Sequence, residues 1–222
     1  MSKLLFNEQS VTPSTPMSTK VAIYVDNTTT PRIKMVDGAG SVATIIDTNS
    51  RVKTSSSAQQ TGSTNFSADS YLAGSSIFLK TLPKVGTIYH AIFDMTKTAA
   101  GTATPIISFR MGTNGTAADT ALLTFTFTAG TAAADVGIFE LWVTFRSIGS
   151  GSTAVVQGLI QCKHQLAATG LTSGGTGGSF TIVSTSAGFN SAVDNSYLGL
   201  SFNGGGSFSG TNQFVMSELH NI

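Results

Sequence analysis

Residues 136–165 read VGIFELWVTFRSIGSGSTAVVQGLIQCKHQ, and this stretch decides the fold class. In its first arm large apolar residues occupy every second position: Phe139, Leu141, Val143 and Phe145. The residues between them are Glu140, Trp142, Thr144 and Arg146. Because side chains alternate between the two faces of a strand, the pattern predicts a long half-buried β-strand. The second arm alternates too, with Val156, Ile160 and Cys162 inward and Gln157, Gln161 and Lys163 outward, so the Gly/Ser loop predicts a hairpin.

The same signals continue through the rest of residues 76–222, and no helical period competes with them. The predicted strands lie near 76–80, 85–97, 105–111, 121–128, 136–148, 153–165, 179–185, 196–203 and 213–220. The loops between them, such as 112–119 and 203–210, are rich in glycine and match no phosphate-binding motif. Eight or nine antiparallel strands predict an all-β chain with an antiparallel β-sandwich of jelly-roll type. An immunoglobulin-like sandwich is usually shorter, at about 100 residues.

Three further segments precede this domain. Residues 1–20 show no periodicity and carry Pro13 and Pro16 among Ser and Thr, which favours an extended N-terminal arm. Residues 21–47 contain three short strand signals separated by turns, and they predict a small β-meander with too little core to be stable alone. Residues 48–75 are rich in Ser, Thr, Gln and Gly, and they predict a linker.

The composition argues against several classes of function. About 10% of the 222 residues are charged, the formal net charge is +1, and the twelve basic residues are scattered. Nucleic-acid binders carry a basic patch or stripe, so we expect no nucleic-acid partner. Ser, Thr and Gly number 28, 32 and 24, which suits β surfaces that pack against neighbouring copies.

The chain has a single cysteine, Cys162, so no intramolecular disulfide can form. We expect Cys162 to be a small hydrophobic residue of the core. Because secreted domains usually pair their cysteines, we also expect the chain to be made in a reducing cytosol. The apolar run Leu4–Phe6 is too short for a signal peptide. No stretch approaches the roughly 18 apolar residues of a membrane span, so we expect no membrane insertion.

Two parts of the chain resemble proteins of tailed bacteriophages. The Thr-Pro pairs of 12–16, the strand VAIYVD (21–26) and the turn KMVDG (34–38) resemble the anchoring segment that opens many phage fibre and appendage proteins. From about Val85 onward, the series TPIISFRMG, LLTFTFTAG and FELWVTFRSIGSGSTAVVQG resembles a jelly-roll family of phage virion appendages, with the characteristic hairpin at Thr144–Gly149.

The resemblance implies a non-enzymatic virion part, commonly a homotrimer, mounted on major capsid, neck or tail proteins by its N-terminal arm. It places the protein in the virion, assembled in the host cytoplasm. The chain has no long shaft, which favours a compact capsid decoration protein or head fibre over a long tail fibre. The residues expected to dock this anchor are Val21, Ile23, Tyr24, Val25, Ile33 and Met35.

Few residues of the predicted sandwich are arranged for catalysis or metal binding. The carboxylates Asp94, Asp119, Asp135, Glu140, Asp194 and Glu218 fall on separate strands and loops, whereas glycosidases need two carboxylates roughly 5–9.5 Å apart. His90 and Asp94 are expected on one face of a single strand, and the three histidines, His90, His164 and His220, show no ligand spacing. Cys162 and His164 share a face and offer two metal ligands, but a core thiol beside a strand-end histidine is the favoured interpretation. We therefore expect no catalytic residue, metal or cofactor.

Trp142 is the candidate interaction residue, because its parity places it on the outward face of a half-buried strand. Three interpretations stay open: burial against another copy, cover by a loop, or a platform for a ligand. An alternative function is therefore a tail-fibre or receptor-binding module that recognises host surface glycan. A glycan site usually clusters aromatic residues, whereas this chain has one Trp and four dispersed Tyr.

Overall fold

All regular secondary structure in the described part of the chain is β. The structure is a computed structural model, and it describes residues 8–9, 22–26, 32–36, 42–46, 51–62, 64–99, 101–174 and 178–222. The chain divides into two compact units, Met1–Arg51 and Val52–Ile222.

The first unit is a four-stranded sheet of short strands. Its strands are β1 (Glu8–Gln9), β2 (Ala22–Asp26), β3 (Arg32–Val36) and β4 (Val42–Ile46), in that order across the sheet. Strands β2 to β4 form an antiparallel meander, as the sequence predicts for residues 21–47. Within the predicted arm, β1 runs parallel to β2, with Glu8 beside Val25. The other residues of the arm lie outside the described part of the chain.

The second unit contains two antiparallel sheets. Its strands are β5 (Arg51–Ser56), β6 (Ser70–Tyr71), β7 (Ile77–Phe78), β8 (Ile88–Ala99), β9 (Ile106–Gly112), β10 (Thr120–Thr126), β11 (Asp135–Ser147), β12 (Val155–His164), β13 (Ser179–Thr185), β14 (Tyr197–Asn203), β15 (Ser209–Thr211) and β16 (Val215–His220). A seven-stranded sheet has the order β13-β12-β11-β8-β16-β5, with β15 paired to β8. A five-stranded sheet has the order β10-β9-β14-β6, with β7 paired to β14.

The chain crosses repeatedly between these two sheets. Strand β8 belongs to the seven-stranded sheet, β9 and β10 to the five-stranded sheet, and β11 to β13 to the first again. Strand β14 then returns to the five-stranded sheet, and β15 and β16 close the seven-stranded one. This alternation of antiparallel strands between two sheets confirms the predicted β-sandwich and is consistent with the jelly-roll type.

The hydrophobic core lies where the alternating faces predict it. In the central hairpin β11 pairs β12 with Phe139 opposite Cys162, and both side chains are buried. Phe139 stacks on Phe93 of β8 at a ring-centroid distance of 5.0 Å. It also meets Phe202 of the five-stranded sheet edge-on at 6.2 Å. Aromatic side chains from both sheets therefore join the layers, each burying a large apolar area.

The predicted linker, residues 48–75, is instead largely part of the sandwich. Strand β5 forms one edge of the seven-stranded sheet, and β6 pairs with β14. Phe66 and Leu72 are fully buried, and the Phe66 ring meets that of Phe202 edge-on at 5.9 Å. An edge strand rich in Ser, Thr and Lys resembles a linker in composition because edges are commonly polar. Strand β15, which begins inside the predicted loop 203–210, also had no signal in the sequence.

Candidate functional site

One row of side chains crosses the outer face of the seven-stranded sheet. The strand registers place Glu218 beside His90, His90 beside Trp142, Trp142 beside Leu159 and Leu159 beside Val183. The row runs from charged residues on β16 to apolar residues on β12 and β13. It contains the residue that the sequence selected as the interaction candidate.

Trp142 lies on the outward face, as its parity predicts, and 41% of its surface is exposed. Its ring stacks on the His90 imidazole with a centroid distance of 3.8 Å and an interplanar angle of 17°. The indole Nε1 donates a hydrogen bond to Glu140 Oε1 at 3.2 Å. With that much surface exposed, the ring is not covered by any loop among the described residues.

A group of titratable side chains lies at the polar end of this row. Glu218 Oε1 is 2.7 Å from Lys53 Nζ, and Glu218 Oε2 is 3.0 Å from His220 Nε2. His90 Nε2 is 3.1 Å from Glu140 Oε1. His90, Glu218 and His220 each place a ligand atom within 4.8 Å of the others. The sequence presents each of these three residues separately, and it does not predict that they lie close together.

Three of the candidate carboxylates hold loops in place. Asp94 Oδ1 accepts hydrogen bonds from the backbone N–H groups of Gln213 and Phe214 at 2.7 and 2.9 Å. Asp119 accepts three, the shortest from Gly115 N at 2.7 Å, and so its carboxylate fills the glycine-rich 112–119 loop. These buried acids are paired with backbone donors, as buried charges require.

Asp135 and His164 form a third such group at the end of the central hairpin. His164 Nδ1 is 2.7 Å from Asp135 Oδ2, and both side chains are fully buried. The same carboxylate accepts hydrogen bonds from three backbone N–H groups, while His164 Nε2 is buried without a hydrogen-bond partner. Cys162 is buried, and its burial raises the pKa of the thiol to about 12. A thiol held protonated is a poor metal ligand, which supports the interpretation of Cys162 as a core residue.

Two cavities are each lined in part by one of the candidate carboxylates. One of about 220 Å³ lies on the outer face of the seven-stranded sheet, lined by Ile92, Ile138, Glu140, Gln161 and Lys163. It shares Glu140 with the hydrogen bond from Trp142. The other, of about 360 Å³, lies beside the 112–119 loop and includes Asp119, whose oxygens already accept the loop's N–H groups.

The expected anchor residues lie in the first unit. Ile23 pairs with Met35 and Val25 with Ile33, while Tyr24 pairs with Lys34. Ile23 is 50% exposed. Val21 lies outside the described residues. Strands thus lie at the expected positions, and the apolar side chain of Ile23 is half exposed.

Comparison with known proteins gives no family for this chain. No protein-family model matches it, and no curated protein does. The 2.6 Å structure of infectious bursal virus derived T=1 particles aligns with 82% of this chain and 42% of its own, at 11% identity and a TM-score of 0.23. The structure of infectious bursal disease virus strain Gx aligns with 81% and 44%, at 13% identity and a TM-score of 0.21.

This chain therefore spans less than half the length of either of these two chains. TM-scores at this level do not define a shared fold, so the function has to be inferred from the residues of this chain. Across the described residues there is no helix long and apolar enough to cross a bilayer.

Proposed function

We propose that this chain is a non-enzymatic structural component of a tailed-phage virion. It is a trimeric capsid decoration protein or short fibre, attached to the particle through its N-terminal region and assembled in the host cytoplasm. The main observation in support of the proposal is the division of the chain into a small first unit and a larger sandwich. The sequence resemblance to phage anchoring segments and virion jelly rolls supports the same function.

The size of the first unit supports an anchoring role. Its four strands are two to five residues long, and a unit this small buries too little of its surface to be more than marginally stable unless it packs against something else. The exposed Ile23 side chain gives this sheet apolar surface to bury. A capsid or tail protein of the same virion supplies the covering surface in this proposal.

The outer face of the sandwich supports oligomerisation. Ile138, Trp142 and Val183 are 51%, 41% and 59% exposed, and they lie on β11 and β13, the two strands that flank β12. Burying about 200 Å² of apolar area contributes roughly 5 kcal/mol before the entropic costs of association. Three anchors held together then raise the avidity for the particle well above that of one.

The buried carboxylates also favour a structural role over catalysis. A catalytic acid or base must reach a substrate from a cleft. Asp94, Asp119 and Asp135 instead accept hydrogen bonds from the protein's own backbone. Two other acids, Glu140 and Glu218, pair with histidines on the outer side of the seven-stranded sheet.

Incorporation into particles tests the anchor. Particles that lack the protein are incubated with the full-length chain, a form without residues 1–47, and the variant Ile23→Asp. We expect the truncated form to stay folded by circular dichroism but to be absent from purified particles, and Ile23→Asp to incorporate less than the full-length chain. Val85→Asp is the matched control, because Val85 is 59% exposed and lies in the sandwich. Normal incorporation of the truncated form contradicts the anchor assignment.

Sedimentation tests the trimer. The expected species has three times the 22.9 kDa mass of the chain. Trp142→Ala and Val183→Ser should raise the dissociation constant of the trimer, whereas Phe78→Ser, at an exposed position of the five-stranded sheet, should not. A full-length protein that remains monomeric at micromolar concentration contradicts this part of the proposal.

A second candidate function has one observation in its favour. The exposed Trp142 ring lies next to the 220 Å³ cavity that Gln161 and Lys163 help to line, and sugar-binding sites combine an aromatic platform with polar groups. The candidate is recognition of a host surface glycan. A glycan array separates the two functions, because this candidate requires a reproducible ligand whose binding is lost in Trp142→Ala but retained in Val85→Ser.

A further inference from the structure

The strand pairing brings three metal-ligating side chains to one spot on the outer face of the sandwich. His90 comes from β8, while Glu218 and His220 come from β16. Their ligand atoms all lie within 4.8 Å of one another. Glu218 pairs directly with His90 across the two strands, and His220 follows Glu218 by two positions on the same face. The three side chains are therefore carried by paired strands rather than by loops.

The donor set selects a class of metal. Two imidazole nitrogens and one carboxylate are the ligands that zinc takes in many sites with three protein ligands. Calcium and magnesium prefer oxygen ligands alone, so two histidines disfavour them. We propose that one imidazole nitrogen of His90, the Glu218 carboxylate and one imidazole nitrogen of His220 bind one zinc ion or a similar divalent transition metal per chain. This site is independent of the proposed virion function.

The neighbours of the three residues favour a formed site. The Glu218 side chain is 6% exposed and that of His90 is 12% exposed, so neither ligand is a freely moving surface group. Stacking on Trp142 fixes the plane of the His90 ring. Glu140 Oε1 lies 3.1 Å from His90 Nε2, and this contact also restricts the orientation of the ring. Support of this kind around a ligand contributes to metal affinity.

Lys53 is the competitor for the site. Its Nζ lies 2.7 Å from Glu218 Oε1 and supplies the positive charge that a metal would bring. Removing this ammonium group leaves the carboxylate with one cation fewer. The variant Lys53→Gln should therefore bind metal more tightly than the wild type, which a merely structural ion pair does not predict.

The chain carries its own reporter of metal binding. Trp142 is the single tryptophan, and it stacks on the proposed ligand His90. The experiment uses the full-length protein without a histidine tag. Zinc chloride is titrated by calorimetry, and copper(II), a paramagnetic quencher, is titrated while the Trp142 fluorescence is followed. We expect one saturable zinc site per chain with a dissociation constant of about 10 μM or lower, copper quenching that saturates at the same stoichiometry, and no response to magnesium.

Variants decide whether these three residues are the ligands. His220→Asn and Glu218→Gln should each weaken zinc binding by about 10–100-fold, in line with the loss of a ligand or its support. Asp194→Asn is the matched control, because Asp194 is exposed and outside the cluster, and it should bind as the wild type does. His220 is partly exposed, so His220→Asn is expected to fold, and circular dichroism checks this.

Two results overturn the proposal. One is a wild-type protein that shows no saturable zinc binding up to about 1 mM, a concentration far above that of specific sites. The other is zinc binding that is unchanged in folded His220→Asn. If a variant fails to fold, the wild-type titration and Lys53→Gln decide: absence of saturable binding, or binding no tighter in Lys53→Gln than in the wild type, counts against the site.

Discussion

The carboxylate of Asp135 should be among the most stabilising side-chain groups in the sandwich. One oxygen accepts hydrogen bonds from Val136 N at 2.9 Å and Leu166 N at 3.1 Å. The other accepts one from Leu171 N at 2.9 Å and lies 2.7 Å from His164 Nδ1. The group therefore joins the start of β11, the end of β12 and the loop after β12. Replacing it with an amide of the same shape, Asp135→Asn, tests this role without opening a cavity.

The expected loss of stability follows from the four donors. A hydrogen bond to a charged group contributes about 1.5–3 kcal/mol, so simple addition gives roughly 6–12 kcal/mol. That sum is too high, because single substitutions rarely exceed about 4–5 kcal/mol and the remaining amide oxygen still accepts some of these bonds. The amide NH₂ instead faces donors in a site where Asp135 is 3% exposed. We expect Asp135→Asn to lower the free energy of unfolding by about 3–4 kcal/mol.

Urea unfolding followed by circular dichroism measures this loss, with all variants at one protein concentration because association also shifts the transition. The matched control is Asp194→Asn, which removes the same charge from an exposed position and should change stability by less than about 0.5 kcal/mol. A loss below about 1 kcal/mol for Asp135→Asn, or an equal loss for the control, refutes the reasoning that these four hydrogen bonds hold the end of the hairpin.

Three further predictions concern the core. Burial raises the pKa of Cys162 from 9.0 to about 12, so the native thiol should resist alkylation at pH 8 and react at once in urea; rapid labelling of the native protein contradicts its burial. Because the thiol pKa is higher in the folded state than in the unfolded state, deprotonation of Cys162 favours unfolding. The free energy of unfolding should therefore be unaffected by this thiol below about pH 9 and should fall as the pH rises from there towards 12. Urea midpoints measured across that range test this. A Cβ at Gly158 would lie 2.6 Å from Leu123 Cδ1, so Gly158→Ala should cost about 1–3 kcal/mol by overpacking. Gly206→Ala, which meets nothing within 4 Å, should be near neutral in the same urea assay, and equal effects would contradict the packing argument.

Side-chain alternation was sufficient to predict the faces of the long strands. Phe139, Leu141, Val143 and Phe145 are buried, and Trp142 is exposed, as their parity requires. The period of two is a local property of the chain, so it is readable wherever one face is apolar and the other polar. This explains why the hairpin and the sandwich were predicted correctly from the sequence.

The error over residues 48–75 has a different physical origin. Phe66 is fully buried although it stands alone among polar residues, so no period could reveal it. It reaches the core through a turn in which Asn65 and Phe66 both have positive φ, of 54° and 62°. Such conformations are uncommon for residues other than glycine, and local sequence does not predict them. The composition of the segment is that of a linker, because its core contacts depend on partners that are distant in the sequence.

The cluster of His90, Glu218 and His220 shows the same limit at the level of function. Parity alone places Glu218 and His220 on one face of their strand and His90 on one face of another. The three side chains meet because β8 pairs with β16, and these two strands are far apart in the sequence of the second unit. On a β surface the sequence therefore predicts which side chains share a face but not which of them meet. A binding site built across paired strands is for this reason visible only in the fold, and the metal titration with Lys53→Gln tests whether this one acts as a site.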